Sequence, residues 1–161
     1  MPVREKICAD ARGHKNRTSE LGHSYSFNIH ASASRWSKLD DVTSNSVVID
    51  TASTQTGGLA GVNGGSISNA RASGSVSAGS KSQVGGLVGV DRGNTIIRHT
   101  WSTSRVAAQR SRVGGLVGVN EAGALIADST PSGIVGGDGS DLGGLVAWNS
   151  GTIRSSLSGA N

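Results

Sequence analysis

The sequence has few of the residues that usually fill or cross-link a compact core. Of its 161 residues, one is cysteine, two are proline and 3% are aromatic. Because Cys8 stands alone, an internal disulfide framework is excluded, and no Cys/His spacing suggests a zinc site. With few aromatic side chains and 25 glycines, the chain has little bulk for a globular core. We therefore expect a thin and repetitive core.

Long apolar runs are also lacking. The sequence contains no stretch of 18 apolar residues, so we expect no membrane-spanning helix. The opening segment, MPVREKICADARGHKNRTSE, has charges but no apolar centre, so we expect no signal peptide in this chain. The net charge is +4, but no basic patch with interleaved aromatic residues accompanies it, and we do not expect nucleic-acid binding.

What the sequence does contain is a repeat. Gly-rich heptads begin at Gly57 (GGLAGVN), Gly85 (GGLVGVD), Gly114 (GGLVGVN) and Gly143 (GGLVAWN). A single heptad of this kind could be a phosphate-binding loop, but four evenly spaced copies indicate architecture. The predicted repeat units are 57–84, 85–113, 114–142 and 143–161, the last of them partial.

Equivalent positions in the units carry equivalent residues. The heptad leucine is followed by a valine or tryptophan, then by Asn or Asp, a glycine and an isoleucine. Such units cannot bury an apolar face alone, but stacked coils bury it as columns of like residues. We therefore predict an all-β fold, a parallel β-helix or β-solenoid of about four coils with two or three short strands each. Its structural ladders are predicted to be Leu59, Leu87, Leu116 and Leu145, and Ile67, Ile97, Ile126 and Ile153.

These residues carry a resemblance to a known family. The heptad GGLVGVN, followed by Gly, by Ile and by a segment such as SGSV at residues 73–76, resembles the GLUG motif of large bacterial surface and secreted proteins. Filamentous-haemagglutinin-like adhesins are among them. The resemblance implies a repeat region of a longer exported protein, located extracellularly or at the cell surface. It implies no catalytic residues.

The first 56 residues lack the heptad. A 28-residue step back from Ile67 reaches Leu39, and the same step from Val76 reaches Val48. We therefore predict a degenerate first coil over 23–56, with its first strand at YSFNI, residues 25–29. Residues 1–22 are predicted to be a disordered tail or sequence from outside the repeat array.

Arginines are the first candidates for a binding site. The second unit contains five, which suit sulfated or carboxylated glycans because guanidinium binds such anions in a bidentate manner. The alternative is that they are solvated loop charges facing the acidic third unit. The candidate glycan contacts are Arg92, Arg98, Arg105, Arg110 and Arg112.

Acidic residues are the second candidates. Glu121 and Asp128 lie in the third unit, and GGDGSDLGG, with Asp138 and Asp141, resembles one calcium-binding nonapeptide. Catalysis would need carboxylates converging on one face, and a calcium site of that kind needs adjacent turns. We predict surface carboxylates instead, hence no enzyme, metal or cofactor.

The sequence therefore predicts a noncatalytic structural or adhesive segment that serves as spacer or scaffold. The alternative is a polysaccharide-binding or polysaccharide-cleaving β-helix module. Expected partners are host or environmental glycans, surface proteins and further repeats of a longer chain. We also expect self-association through the C-terminal coil, whose last strand, near 144–148, has no polar cap in the sequence.

Overall fold

The computed structural model describes residues 6–9, 15–18, 32–33, 38–51 and 54–161. Within these residues the chain forms 22 β-strands and no helix. Accordingly, the described part offers no helix with the length and apolarity to cross a membrane. The all-β prediction is confirmed.

The strands follow one another as an antiparallel pair and then five coils. The pair is β1 (Lys6–Ala9) and β2 (Lys15–Thr18). Coil 1 contains β3 (Ser32–Ala33), β4 (Lys38–Asp40) and β5 (Thr43–Ile49), and coil 2 contains β6 (Gln55–Gly57), β7 (Ala60–Asn63), β8 (Ser66–Ser68) and β9 (Arg71–Ala78). Coil 3 contains β10 (Gln83–Gly85), β11 (Val88–Asp91), β12 (Ile96–Arg98), β13 (Trp101–Ser102) and β14 (Arg105–Ala108). Coil 4 contains β15 (Arg112–Gly114), β16 (Val117–Asn120), β17 (Leu125–Ala127), β18 (Thr130–Pro131) and β19 (Ile134–Gly136), and coil 5 contains β20 (Asp141–Gly143), β21 (Val146–Asn149) and β22 (Thr152–Arg154).

Equivalent strands of successive coils pair in parallel and form four walls. Wall 1 is β6, β10, β15 and β20; wall 2 is β3, β7, β11, β16 and β21; wall 3 is β4, β8, β12, β17 and β22. Wall 4 is β5, β9, the pair β13 and β14, and the pair β18 and β19. The chain is therefore a parallel β-solenoid, with its core enclosed by the walls.

Both predicted ladders are present. Leu59 donates its backbone N–H to the carbonyl of Leu87 at 2.9 Å, and Leu116 donates likewise to Leu145 at 3.0 Å. On wall 3, Ile97 pairs in register with the isoleucines of coils 2 and 4. The ladder residues of coils 2 to 4 are buried, because each apolar side chain lies on its equivalent in the next coil. Removing this apolar surface from water stabilises the fold by about 25 cal/mol per Å².

Glycine explains why coils 2, 3 and 4 have more strands than the two or three predicted. A Cβ on Gly86 would lie 2.2 Å from the carbonyl oxygen of Gly115 and 2.2 Å from the Ser102 hydroxyl. Only glycine allows backbone and side chain to approach so closely at this corner. The glycine pair thus bends the expected single strand into separate strands on walls 1 and 2. The prediction of two or three strands per coil is wrong in this respect.

Another corner rests on residues with left-handed backbone. Between walls 3 and 4, each coil places one non-glycine residue at a φ of 46 to 56°. Asn and Asp tolerate this region better than most residues. Three of the five corner residues are of that kind; the column is Asp41, Asn69, His99, Asp128 and Ser155.

The degenerate first coil is present in its second half. Leu39 pairs in register with Ile67, and Val48 pairs with Val76, as the 28-residue step predicts. The strand predicted at 25–29 lies outside the described residues. Within 1–22, the described residues are those of β1 and β2; the domain boundaries stay predictions.

Candidate functional site

A column of polar side chains runs inside wall 2. It is formed by the last residue of each wall 2 strand from coil 2 to coil 5, and these residues pair in register. Asn63, Asp91 and Asn120 are fully buried, whereas Asn149 is exposed. We call these four residues the polar ladder.

Hydrogen bonds connect the ladder in one direction. Asn63 Nδ2 donates to Asp91 Oδ1 at 2.8 Å, and Asn120 Nδ2 donates to Asn149 Oδ1 at 2.6 Å. The turns fix both ends, because Asn63 Oδ1 accepts from Gly65 N at 3.1 Å and Asn149 Nδ2 donates to Gly151 O at 3.3 Å. Both inter-coil bonds therefore run from the earlier coil to the later one.

Asp91 is the exception in this column. Burial raises the pKa of Asp91 to about 6, from 3.8, while contacts with Thr95 and Asn63 lower it and the charge of Glu121 raises it. Asp91 Oδ2 and Asn120 Oδ1 have no hydrogen-bond partner. The Thr95 hydroxyl is close enough to the carboxyl group to lower its pKa, but the contact does not have the geometry of a standard hydrogen bond. A buried polar atom without a partner costs about 1–3 kcal/mol.

The outer face of wall 4 carries the second group of functional interest. Residues of β9, β13 and β14 alternate between inward and outward, which places Arg71, Trp101 and Arg105 outside. Arg71 stacks on Trp101, with its guanidinium carbon 5.0 Å from the ring centroid. No strand of wall 4 contains an acidic residue. This face is therefore basic, rich in hydroxyl groups and partly apolar.

An open depression lies beside Arg105 on the same wall. Its volume is about 580 Å³. The small residues of neighbouring coils leave room for it, since Ser77 pairs with Ala107 and Ala107 with Gly136. Ile134 and Asp138 also line it. The depression is open to solvent and crosses neighbouring coils.

The structure distributes the five predicted arginines over the solenoid. Arg92 lies in the turn after β11, Arg98 on wall 3 and Arg105 on wall 4. Arg110 lies at the corner between walls 4 and 1, and Arg112 lies on wall 1. Arg112 also pairs with an acid of the next coil, with 3.9 Å between its Nε and Asp141 Oδ2. These residues are not brought to one face.

The acidic candidates are dispersed as well. Glu121 lies in the turn after β16. Asp128 lies at the corner of walls 3 and 4, with its Oδ2 3.8 Å from His99 Nε2. Asp138 is exposed at the corner that leads into wall 1, and Asp141 is exposed at the start of β20 on wall 1. Among the described residues, no group of three or more His, Cys, Asp or Glu side chains could hold a metal ion.

Sequence reasoning aligned the polar ladder but did not predict its burial. The signal was a polar residue that recurs directly after an apolar one in every repeat unit. It also missed the contact of Arg71 with Trp101, although the 30-residue step from Ile67 to Ile97, carried forward along the chain, leads from Arg71 to Trp101.

Comparison with known proteins agrees with this repeat architecture. The family model for the GLUG motif matches residues 52–77. No curated protein and no solved structure matches the chain. The match supports a GLUG-repeat protein, and together with the β-solenoid fold it suggests a repeat module of a larger protein.

Proposed function

We propose that the chain is a noncatalytic, rigid scaffold segment of a bacterial cell-surface or secreted protein of the filamentous-haemagglutinin-like kind. The observation that carries this proposal is the continuous parallel register of walls 2 and 3 across all five coils. A solenoid of this kind grows by a fixed increment of about 4.8 Å per coil and holds its ends at a defined separation. Those are the properties of a spacer.

The distribution of charge supports a scaffold over an enzyme. Hydrolysis of a glycosidic bond uses two carboxyl groups about 5–10 Å apart on either side of the bond. Here Asp91 is buried, Asp128 lies at one corner and Asp138 at another. Surface acids placed at separate corners favour solubility and coil-to-coil pairing rather than chemistry.

A distance measurement tests the scaffold proposal. Spin labels at Asn45→Cys and Ser132→Cys, in a Cys8→Ser background, report the separation of coils 1 and 4. We expect a narrow distance distribution that lengthens by about 4.8 Å for each inserted copy of 85–113. A broad distribution, or no regular increment, would contradict a rigid spacer.

A second candidate function is binding of an anionic polysaccharide on wall 4. It is favoured by the outward arrangement of Arg71, Trp101 and Arg105 on strands that contain no acid. Arginine binds carboxylate and sulfate groups with paired hydrogen bonds, and serine hydroxyls along β9 add neutral hydrogen-bonding groups. Of the five arginines predicted from the sequence, Arg105 is the one on this wall.

Two pairs of substitutions separate site-directed binding from general charge attraction. Arg71→Ser with Arg105→Ser removes two charges from wall 4, and Arg92→Ser with Arg98→Ser removes the same charge elsewhere. We expect affinity for heparin and for a sulfate-free polyuronate to fall about tenfold or more in the first pair only. Equal losses in both pairs would contradict a binding site on wall 4.

We also propose that coil 5 contacts a further repeat or, in the isolated chain, a second copy. Strands β20, β21 and β22 are the edges of walls 1 to 3. Leu116 is fully buried in coil 4, whereas its counterpart Leu145 is half-buried. Sedimentation across a concentration series should show association, and Leu142→Lys should weaken it. A monomer at every concentration would exclude this contact.

A further inference from the structure

One junction of the polar ladder lacks a donor. Asp91 and Asn120 pair in register on β11 and β16. Asp91 uses Oδ1 to accept from Asn63, and Asn120 uses Nδ2 to donate to Asn149. The atoms left for the junction between coils 3 and 4 are Asp91 Oδ2 and Asn120 Oδ1, and both are unpartnered acceptors in fully buried side chains.

Turning the amide of Asn120 does not solve this. Asn149 Nδ2 faces the carbonyl oxygen of Gly151, which only an N–H can face favourably. Asn149 Oδ1 is therefore directed at Asn120, which must present its Nδ2 to it. The direction of donation is thus fixed from coil 5 upward. Within the ladder, a donor to Asn120 Oδ1 therefore has to come from Asp91, whose carboxyl group also has the Thr95 hydroxyl beside it.

We propose that Asp91 is a proton-binding site, in which the neutral carboxylic acid donates its Oδ2–H to Asn120 Oδ1 and closes the polar ladder between coils 3 and 4. The proton comes from solvent. With it, this junction repeats the arrangement of the junctions on either side, in which a donor of the earlier coil faces an acceptor of the later one. Without it, two buried oxygens face one junction with no hydrogen between them.

The surroundings favour a proton over a metal ion. Calcium takes six to eight oxygen ligands, whereas this junction offers two unpartnered oxygens and the hydroxyl of Thr95. Of the groups around Asp91, β7 contributes the neutral Asn63 and the turn after β16 contributes Glu121. The next residue of its own turn, Arg92, is exposed. Burial and Glu121 both disfavour the charged form, which agrees with a bound proton in mildly acidic solution.

The consequence is a junction that is tightest in mildly acidic solution. Because the pKa of Asp91 is higher in the folded than in the unfolded chain, the folded state binds the proton more strongly between pH 3.8 and about 6. Folding stability falls with rising pH in that window and is level above it. Over the whole window the unfolding equilibrium constant should increase roughly 100-fold through this group.

The substitution Asp91→Asn tests the proposal in the full chain. It places the amide of the other ladder residues at this position, so the Nδ2 donor is present at every pH. In urea unfolding, we expect Asp91→Asn to be more stable than the wild type at pH 8, by up to about 100-fold in the unfolding constant, with the difference shrinking toward pH 4. Asp138→Asn, which changes an exposed acid of coil 4, should show no such trend.

A second measurement does not depend on a variant. The carboxyl carbon of Asp91, followed by carbon-13 NMR in the wild-type protein, should titrate near pH 6. A midpoint for Asp91 at or below 4 would overturn the proposal, because the carboxylate would then be charged and served by another donor. A pH-independent difference between wild type and Asp91→Asn would overturn it as well.

Discussion

The solenoid contains two buried ladders that solve the same stacking problem with different chemistry. On wall 3, Ile67, Ile97 and Ile126 form an apolar ladder, each fully buried and in register with the next. On wall 2, Asn63, Asp91 and Asn120 are equally buried and equally in register, but they are polar. The first ladder depends on shape, and the second depends on the number and direction of donors.

The difference shows what each ladder contributes. The stabilisation from burying apolar surface is non-directional, so any apolar side chain of similar volume retains most of the stability that the isoleucine ladder provides. A buried hydrogen-bonded column tolerates no change in donor count, because an unpartnered atom costs more than a bond contributes. The apolar ladder therefore supplies stability, and the polar ladder penalises wrong register between coils.

The largest effect should come from emptying the apolar ladder. Ile97→Ala removes three carbons between the isoleucines of coils 2 and 4, and we expect it to lower the free energy of unfolding by about 2–5 kcal/mol. The neighbouring Ile96, which is 41% exposed, is the matched control on the same strand. Urea unfolding of Ile97→Ala and Ile96→Ala measures both. Equal losses would mean that the stack on wall 3 is not the main source of stability.

This comparison also shows which features of the fold could be predicted from the sequence. The apolar ladders were predictable because the period of leucine and isoleucine is visible without coordinates, and the register of coil 1 followed from the same step. The number of walls could not be predicted, because a Gly-Gly pair is equally compatible with a strand and with a corner. Only the close approach of Gly86 to Gly115 distinguishes them.

The candidate site was less predictable than the fold. Five arginines within one repeat suggested a single patch, but a coil turns through four walls and carries neighbouring residues to different faces. The 30-residue step from Ile67 to Ile97 also makes Arg71 and Trp101 equivalent, but the period alone does not show that both side chains point outward and stack. The buried state of Asp91 depends on its neighbours in two other coils.

An intermediate effect should come from opening the polar ladder at its first residue. Asn63→Ala removes the acceptor of Gly65 N and the donor to Asp91 Oδ1, and we expect a loss of about 1–3 kcal/mol at neutral pH. The bond from Asn63 lowers the pKa of Asp91, so its removal raises that pKa further. Because the charged form is then less favoured in the folded state, the loss should be larger at pH 8 than at pH 5.

The exposed end of the same ladder supplies the control. Asn149→Ala removes the acceptor of Asn120 Nδ2, but Asn149 is exposed, so water can replace the lost partner. We expect less than about half the loss found for Asn63→Ala and little dependence on pH. A loss at position 149 equal to that at 63 would show that burial does not set the energetic weight of the ladder.

The smallest effect should come from the same kind of polar pairing on the outside of the solenoid. Arg112 and Asp141 are register partners on wall 1, as Asn63 and Asp91 are on wall 2, and Arg112 also lies 4.6 Å from the ring centroid of Trp148. Their side chains are 39% and 66% exposed, so water and salt screen the ion pair. Exposed pairs and exposed cation–π contacts each contribute up to about 1 kcal/mol, and we expect Arg112→Ala to lower the free energy of unfolding by less than that.

The variant Arg112→Lys separates the two contacts, because it keeps the charge but not the planar group. Raising the salt concentration should remove the stabilisation that lysine provides, but only part of the stabilisation that arginine provides. A loss as large as that of Asn63→Ala would mean that direction of bonding, rather than burial, decides what a polar pair contributes between coils.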